Sequence, residues 1–219
     1  KQDLSVSDIS FDVKEGEIVG VAGVQGNGQT ELVEALTGLR PSLSGEISYF
    51  GEKVPNLNPR KIHQIGVRHI PEDRQKSGII GNFSVGENLI LNNYYAAPYS
   101  KYLKMDWDVV GSESQKIIKN FDIRTPSNET LAQNLSGGNQ QKLVVGREMS
   151  STVDFLIASQ PTRGIDVGSI EYIHEQLIKS RNAGKGILLV STELEEILAL
   201  SDRIIVLFRG RIIEEFKSN

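Results

Sequence analysis

The sequence predicts an α/β protein built on a largely parallel sheet, and three observations carry that expectation. Short unbroken apolar runs at 187–190 and 204–208 suit strands covered on both faces. Segments with helical apolar spacing alternate with such runs. A glycine loop stands between one strand and one helix. At 219 residues the chain has room for one substantial core or one core with a subdomain. Its 38% hydrophobic and 24% charged residues describe a globular protein and exclude a disordered one. The absence of Cys rules out disulfides and thiolate metal sites and suits a reducing compartment. A net charge of -4 argues against nucleic acid as the main partner. No apolar run approaches the length of a membrane span, and no signal peptide is expected. The first residue is Lys1, so the chain is expected to be a piece of a longer protein.

Residues 7–13 alternate, with Ile9, Phe11 and Val13 on one face, and end at the turn Lys14-Glu15-Gly16. A short apolar strand is expected over 17–23, followed by the glycine loop and a helix over 30–39 with Leu32, Val33, Ala35, Leu36 and Leu39 on one stripe. Strands are expected at 46–50 and 66–70. From 72 to about 146 the texture becomes helical, at 85–93, 107–120 and 140–149, with turn-rich joints at Ala97-Pro98 and Thr125-Pro126-Ser127. A buried-type strand at 154–158 precedes an amphipathic helix at 169–182, closed by Ala183-Gly184. Another strand covers 186–191. A hairpin of 203–208 and 211–216 turns at Arg209-Gly210. There is no internal repeat and no low-complexity segment.

Five short stretches carry chemistry. In Leu135-Ser136-Gly137-Gly138-Asn139-Gln140-Gln141-Lys142, Ser136 suits a helix N-cap and the glycines admit a ligand close to the backbone, an arrangement that favours anions. A capped helix alone accounts for the same residues. Gly23, Val24, Gln25, Gly26, Asn27, Gly28, Gln29, Thr30 and Glu31 follow the phosphate-loop spacing G-x-x-x-x-G-K-[ST], except that Gln29 takes the Lys position. Gln donates hydrogen bonds but brings no positive charge. The loss of one charge-assisted bond, roughly 1.5–3 kcal/mol, corresponds to about 10- to 100-fold in affinity. A tight strand-to-helix turn is the plain alternative. The remaining stretches are Phe155 to Asp166, containing Ser159-Gln160-Pro161-Thr162; Leu188 to Glu193, where Thr192-Glu193-Leu194-Glu195 also fits a capping box; and Ile70-Pro71-Glu72-Asp73-Arg74, otherwise a charged turn.

Their joint presence and order resemble the landmarks of ATP-binding-cassette (ABC) proteins over essentially the whole chain. The chain resembles the second, C-terminal cassette of a tandem ATPase of simple-sugar and nucleoside importers. Gly26 to Leu32 and Gln160 to Gly164 favour the nucleoside branch. The resemblance implies a P-loop NTPase (RecA-like) core with an antiparallel β subdomain and an inserted helical subdomain, with the α/β core at 1–72 and 146–219 and the helical part at 73–145. It implies that residues 23–31 bind ATP phosphates and that Thr30 contacts Mg²⁺ weakly. In such proteins Leu135 to Gln140 would hold the γ-phosphate of ATP on a partner cassette, with Asn139 where most members have Gln. Asp166 would communicate between the two sites, and Glu72, Asp73 and Arg74 would receive a permease.

The family's catalytic residues are altered together. Lys, Asp, Glu and His are replaced by Gln29, Ser159, Gln160 and Thr192. A Gln cannot act as a general base, a role worth about 10²–10⁴ in rate, and Ser is a poor Mg²⁺ ligand beside a carboxylate. The chain's own site is therefore expected to be degenerate and to hydrolyse ATP negligibly in isolation, while its signature completes the partner's site. Implied partners are a first cassette in the same polypeptide, two transmembrane permease subunits and an external substrate-binding lipoprotein, with no nucleic acid. The implied place is the cytoplasmic face of the membrane, peripherally bound. A self-sufficient ATPase is the main rival. A non-transport ABC protein is disfavoured, because no coiled-coil, zinc insertion or basic linker is present.

Overall fold

A computed structural model of the chain describes residues 6–55, 58–102, 104–151 and 153–217. In order, the elements are β1 (Ile18–Ala22), α1 (Gln29–Leu36), β2 (Ser48–Tyr49), β3 (Glu52–Lys53), α2 (Pro59–Gln64), β4 (Val67–Ile70) and α3 (Val85–Leu89). Then come β5 (Ser100–Lys101), β6 (Lys104–Met105), α4 (Trp107–Asn120), α5 (Gly137–Met149), β7 (Phe155–Ser159) and α6 (Val167–Asn182). The chain closes with β8 (Gly186–Ser191), α7 (Leu194–Leu200), β9 (Arg203–Phe208) and β10 (Arg211–Lys217). Its packing forms two compact units. One comprises the chain up to His69, Asp154–Gln160 and the chain from Leu177; the other comprises Ile70–Val153 and Pro161–Gln176.

The first unit is built on a sheet ordered β10-β9-β1-β8-β7-β4. β1 runs parallel to both β8 and β9, and β7 parallel to β8; β10 pairs antiparallel with β9. Every residue of β8 is buried, which is why its sequence reads as a continuous apolar run rather than an alternation. Val19 and Val21 of β1, Ile157 of β7, Leu188 and Val190 of β8 and Ile205 and Leu207 of β9 share one core with Val33 of α1. The register sets Ala22 beside Ser191 and Ser159 beside Val190. The carboxyl ends of β1, β8 and β7 thus end level, which is where open parallel sheets present their ligand-binding loops.

The second unit is helical. α5 is its spine, with Gly138 and every residue from Gln140 to Glu148 buried. Its three buried charges are paired: Lys142 Nζ lies 2.6 Å from Asp122, and Arg147 Nε lies 2.8 Å from Glu148, whose carboxylate also accepts from Asn92. A guanidinium–carboxylate pair that is also hydrogen-bonded avoids the cost of isolated buried charge.

Four expected elements differ. The helix expected over 30–39 ends at Leu36, and Leu39 is exposed. Residues 7–13 alternate in exposure but join no ladder; Asp8 has a positive φ of 54°, and Ile9, Phe11 and Val13 pack on the core while Arg203 bonds the Asp12 carbonyl. The apolar alternation there records burial, not pairing. The strand expected at 46–50 is reduced to Ser48–Tyr49 against Glu52–Lys53. The helix expected at 85–93 stops at Leu89, within a frame where Asn88 Nδ2 donates to the Ile80, Phe83 and Ser84 carbonyls. Such side-chain bonding to backbone competes with helix continuation. By contrast, α4 spans the expected 107–120, its first turn capped by Asp106.

Candidate functional site

The glycine loop follows β1 and opens α1, with Gly28 at the N-cap in a left-handed conformation of φ 109°. A side chain at Gly28 would be strained by that φ and would also meet Gly210 at 3.1 Å. The loop is closed on itself. Gln29 is buried, its Oε1 accepting from the Asn27 amide at 3.2 Å and its Nε2 donating to the Val24 carbonyl at 3.2 Å. Asn27 Nδ2 donates to the same carbonyl at 2.8 Å. Asn27 also ties the loop to the β9–β10 turn, accepting from the Arg209 amide at 3.0 Å and the Gly210 amide at 2.8 Å. Val24, Gln25 and Gly26 form the exposed crest, and Thr30 lies exposed on the first turn of α1 beside half-buried Glu31. The Gln29 amide oxygen therefore takes a backbone donor of the kind a phosphate would use.

The ends of β7 and β8 are bridged. Ser159 is buried, and Gln160 takes a positive φ of 48° with its amide donating to the Val190 carbonyl at 2.7 Å. Gln160 Oε1 accepts from the Thr192 hydroxyl at 3.3 Å and, at 3.4 Å, from its amide. The expected Thr192–Glu195 capping box does not form. α7 starts at Leu194 with Glu193 at its N-cap and no side-chain bond there, because the Thr192 hydroxyl is directed to Gln160 and the Glu193 amide to Ser191 Oγ. The cluster's side chains are two hydroxyls and an amide. Among the described residues no group of three or more His, Asp or Glu is placed to hold a metal ion. Gln29, Thr30, Ser159, Gln160 and Thr192 all lie in the first unit, after adjacent strands of one sheet.

In the second unit Ser136 caps α5 as the spacing predicts, its Oγ accepting from the Asn139 amide at 3.4 Å and from Asn139 Nδ2 at 3.0 Å. Ser136 itself is exposed, while Leu135 is buried. The next side chains are structural: Asn139 Oδ1 accepts from the Arg124 amide, and buried Gln140 donates to the Ala132 carbonyl. A Cβ on Gly138 would lie 2.2 Å from Ser169 Oγ and 2.6 Å from Asp166 Oδ2, so only glycine admits this approach of the two helix starts. Asp166 accepts from the Ser169 hydroxyl at 2.8 Å and the Ser169 amide at 3.0 Å. The hydroxyl bond first, then the amide bond, holds its carboxyl below the usual carboxylate range.

Glu72, Asp73 and Arg74 form a turn engaged with the same unit. Asp73 caps a short helical turn through the Gln75 and Lys76 amides. Glu72 pairs with Arg163 at 2.7 Å, and Arg74 donates to the Arg163 and Gly164 carbonyls. These links to 163–164, and the link from Asn27 to the hairpin turn, escape sequence reasoning because they join residues far apart in the chain. No helix among the described residues is long and apolar enough to cross a membrane.

Comparison with known proteins gives one consistent result. A family profile described as "ABC transporter" matches residues 6–163. The guanosine import ATP-binding protein NupO of Bacillus subtilis is 53% identical over 209 residues, 95% of this chain and 41% of that protein. The nucleoside import ATP-binding protein NupA of Lactococcus lactis subsp. cremoris is 49% identical over the same length, again 95% of this chain and 41% of the relative. The chain thus spans about two fifths of the length of these curated relatives. Among solved structures, a nucleotide-free ATP-binding cassette from an ABC transporter superposes with a TM-score of 0.82 at 22% identity, covering 96% of this chain and 84% of the other.

Proposed function

This chain belongs to the ABC transporter family, and on that footing we propose that it is one of two paired ATP-binding cassettes powering an importer of nucleosides. The nucleoside class is taken from two relatives, 53% and 49% identical, that are named for guanosine and nucleoside import. The cassette pairs with a first cassette of the same polypeptide, two permease subunits and an external binding lipoprotein, at the cytoplasmic face of the membrane. The α/β unit carries the chain's own nucleotide loop, and the helical part at 73–145 meets the permease.

The two ends of this cassette play unequal parts. Residues 23–31 hold ATP weakly, and Mg²⁺ there has Thr30 but finds Ser159 and Gln160 where the family resemblance places carboxylates. The start of α5 has the Gly137 and Gly138 amides behind Ser136, with the partial positive charge of a helix N-terminus. It caps the γ-phosphate bound on the partner cassette, and ATP supplies its hydrolysis energy from that site. The observation supporting this asymmetry most is Gln29, whose amide oxygen engages the Asn27 amide inside the phosphate loop. Photolabelling of the assembled transporter with an azido-ATP analogue tests it. Label is expected on the partner cassette with little on residues 23–31; equal labelling of both loops contradicts the asymmetry.

A further inference from the structure

Arg74 ties together three segments that the sequence keeps far apart. Its Nη1 donates to the Arg163 carbonyl at 2.8 Å and its Nη2 to the Gly164 carbonyl at 3.2 Å. The same Nη2 lies 2.8 Å from where a Cβ on Gly137 would stand, so the guanidinium rests against the first turn of α5. From the same turn of chain, Glu72 accepts from Arg163 Nη1 at 2.7 Å. One strand-end turn thus grips residues 163–164 by both main chain and side chain. Asp166 follows two residues later and packs with Ser169 against Gly138, the next residue of α5.

We infer that Arg74 is a positioning residue, which fixes the Arg163–Gly164 loop against the start of α5 so that the ATP-capping amides and Asp166 are held in one geometry. The inference rests on the reading that α5 caps the partner's ATP. A guanidinium suits the task because its planar fork reaches two successive carbonyls at once, whereas an ammonium on a flexible stem serves one at a time. Gly164, at φ 65°, turns its carbonyl into that fork.

The test uses the full-length protein assembled with its permease. For Arg74→Ala we expect kcat for ATP to fall about 10- to 100-fold, the scale of a small misplacement of reacting groups, with KM changed less than about threefold. Amide exchange at 163–166 should rise about tenfold as two charge-assisted bonds are lost. Arg74→Lys should recover only part of kcat, and it carries the same test if the alanine variant does not fold. A kcat within twofold of the parent, unchanged exchange at 163–166, or full recovery by Lys overturns the inference. Ser136→Arg, run in parallel, separates the two claims. If it leaves turnover intact, the capping role is wrong and the exchange data alone judge Arg74. If it abolishes turnover while Arg74→Ala does not lower kcat, the capping role stands and the inference about Arg74 falls.

Discussion

The amide oxygen of Gln160 accepts a hydrogen bond from the hydroxyl of Thr192 at 3.3 Å, joining the ends of two adjacent parallel strands. Both residues stand where the family resemblance places catalytic groups. Each has instead found a partner within the protein, and the bond links the two strand ends. Thr192→Val removes the hydroxyl while leaving the Thr192 backbone donor. It should cost about 0.5–1.5 kcal/mol in denaturant unfolding and leave ATP turnover of the assembled transporter unaltered. A large loss of turnover would return Thr192 to the chemistry.

Gly138 is set by packing. Gly138→Ala drives a methyl into Ser169 Oγ and Asp166 Oδ2, and overpacking of this kind costs about 1–3 kcal/mol. Adding Ser169→Ala should relieve part of that cost, so the double variant should be less destabilised than the sum of the singles. Strict additivity by chemical denaturation would show that the clash is absorbed elsewhere.

Acid should loosen the start of α6. The Asp166 carboxyl has a lower pKa folded than unfolded, chiefly through the Ser169 hydroxyl and then its amide. A depressed carboxylate contributes stability in full above its unfolded pKa of about 4 and loses it as the pH falls through the folded value. The stability gap between the parent and Asp166→Asn should therefore be constant near neutrality and shrink as the pH drops below about 4. Asp122, held low by its bond to Lys142, adds to the same acid limb. A gap that does not change with pH would remove the linkage.

Gln29 should respond to charge more than to space. Gln29→Lys returns a cation beside the phosphates and should raise Mg²⁺-ATP affinity at this loop by about 10- to 100-fold, read in full-length protein whose partner loop is inactivated. Gln29→Ala frees the Asn27 amide but adds no charge, so its gain should be smaller. A larger gain from Ala than from Lys would make steric filling, not charge, the main defect. With Ser159→Asp, Gln160→Glu and Thr192→His added, binding should recover before hydrolysis does, since the partner must still supply the capping donors.

Much of this was legible in the sequence because it depends on local pattern. β8 and β9 are buried runs, and the Arg209-Gly210 turn takes positive φ at both residues, as a two-residue hairpin requires. Ser136 caps α5 because a Ser before two glycines has little else to do. What could not be read is set by distance along the chain or by competition for one hydroxyl. Residues 7–13 carry a strand's alternation, but the core, not a neighbouring strand, takes their apolar side. Thr192 has the spacing of a capping box, yet Gln160, 32 residues away, takes its hydroxyl. The grip of Arg74 on Gly164 spans 90 residues and has no local signature.

The most direct test of the central claim is ATP hydrolysis by the assembled transporter carrying Ser136→Arg. This change is cleaner than Gly137→Asp, whose carboxylate would stand against Arg74 and disturb it. A bulky cationic side chain at the exposed cap of α5 should abolish both hydrolysis and uptake, while circular dichroism and melting show the cassette still folded. Normal hydrolysis by that folded variant would contradict the account, because the start of α5 would then take no part in the partner's ATP site.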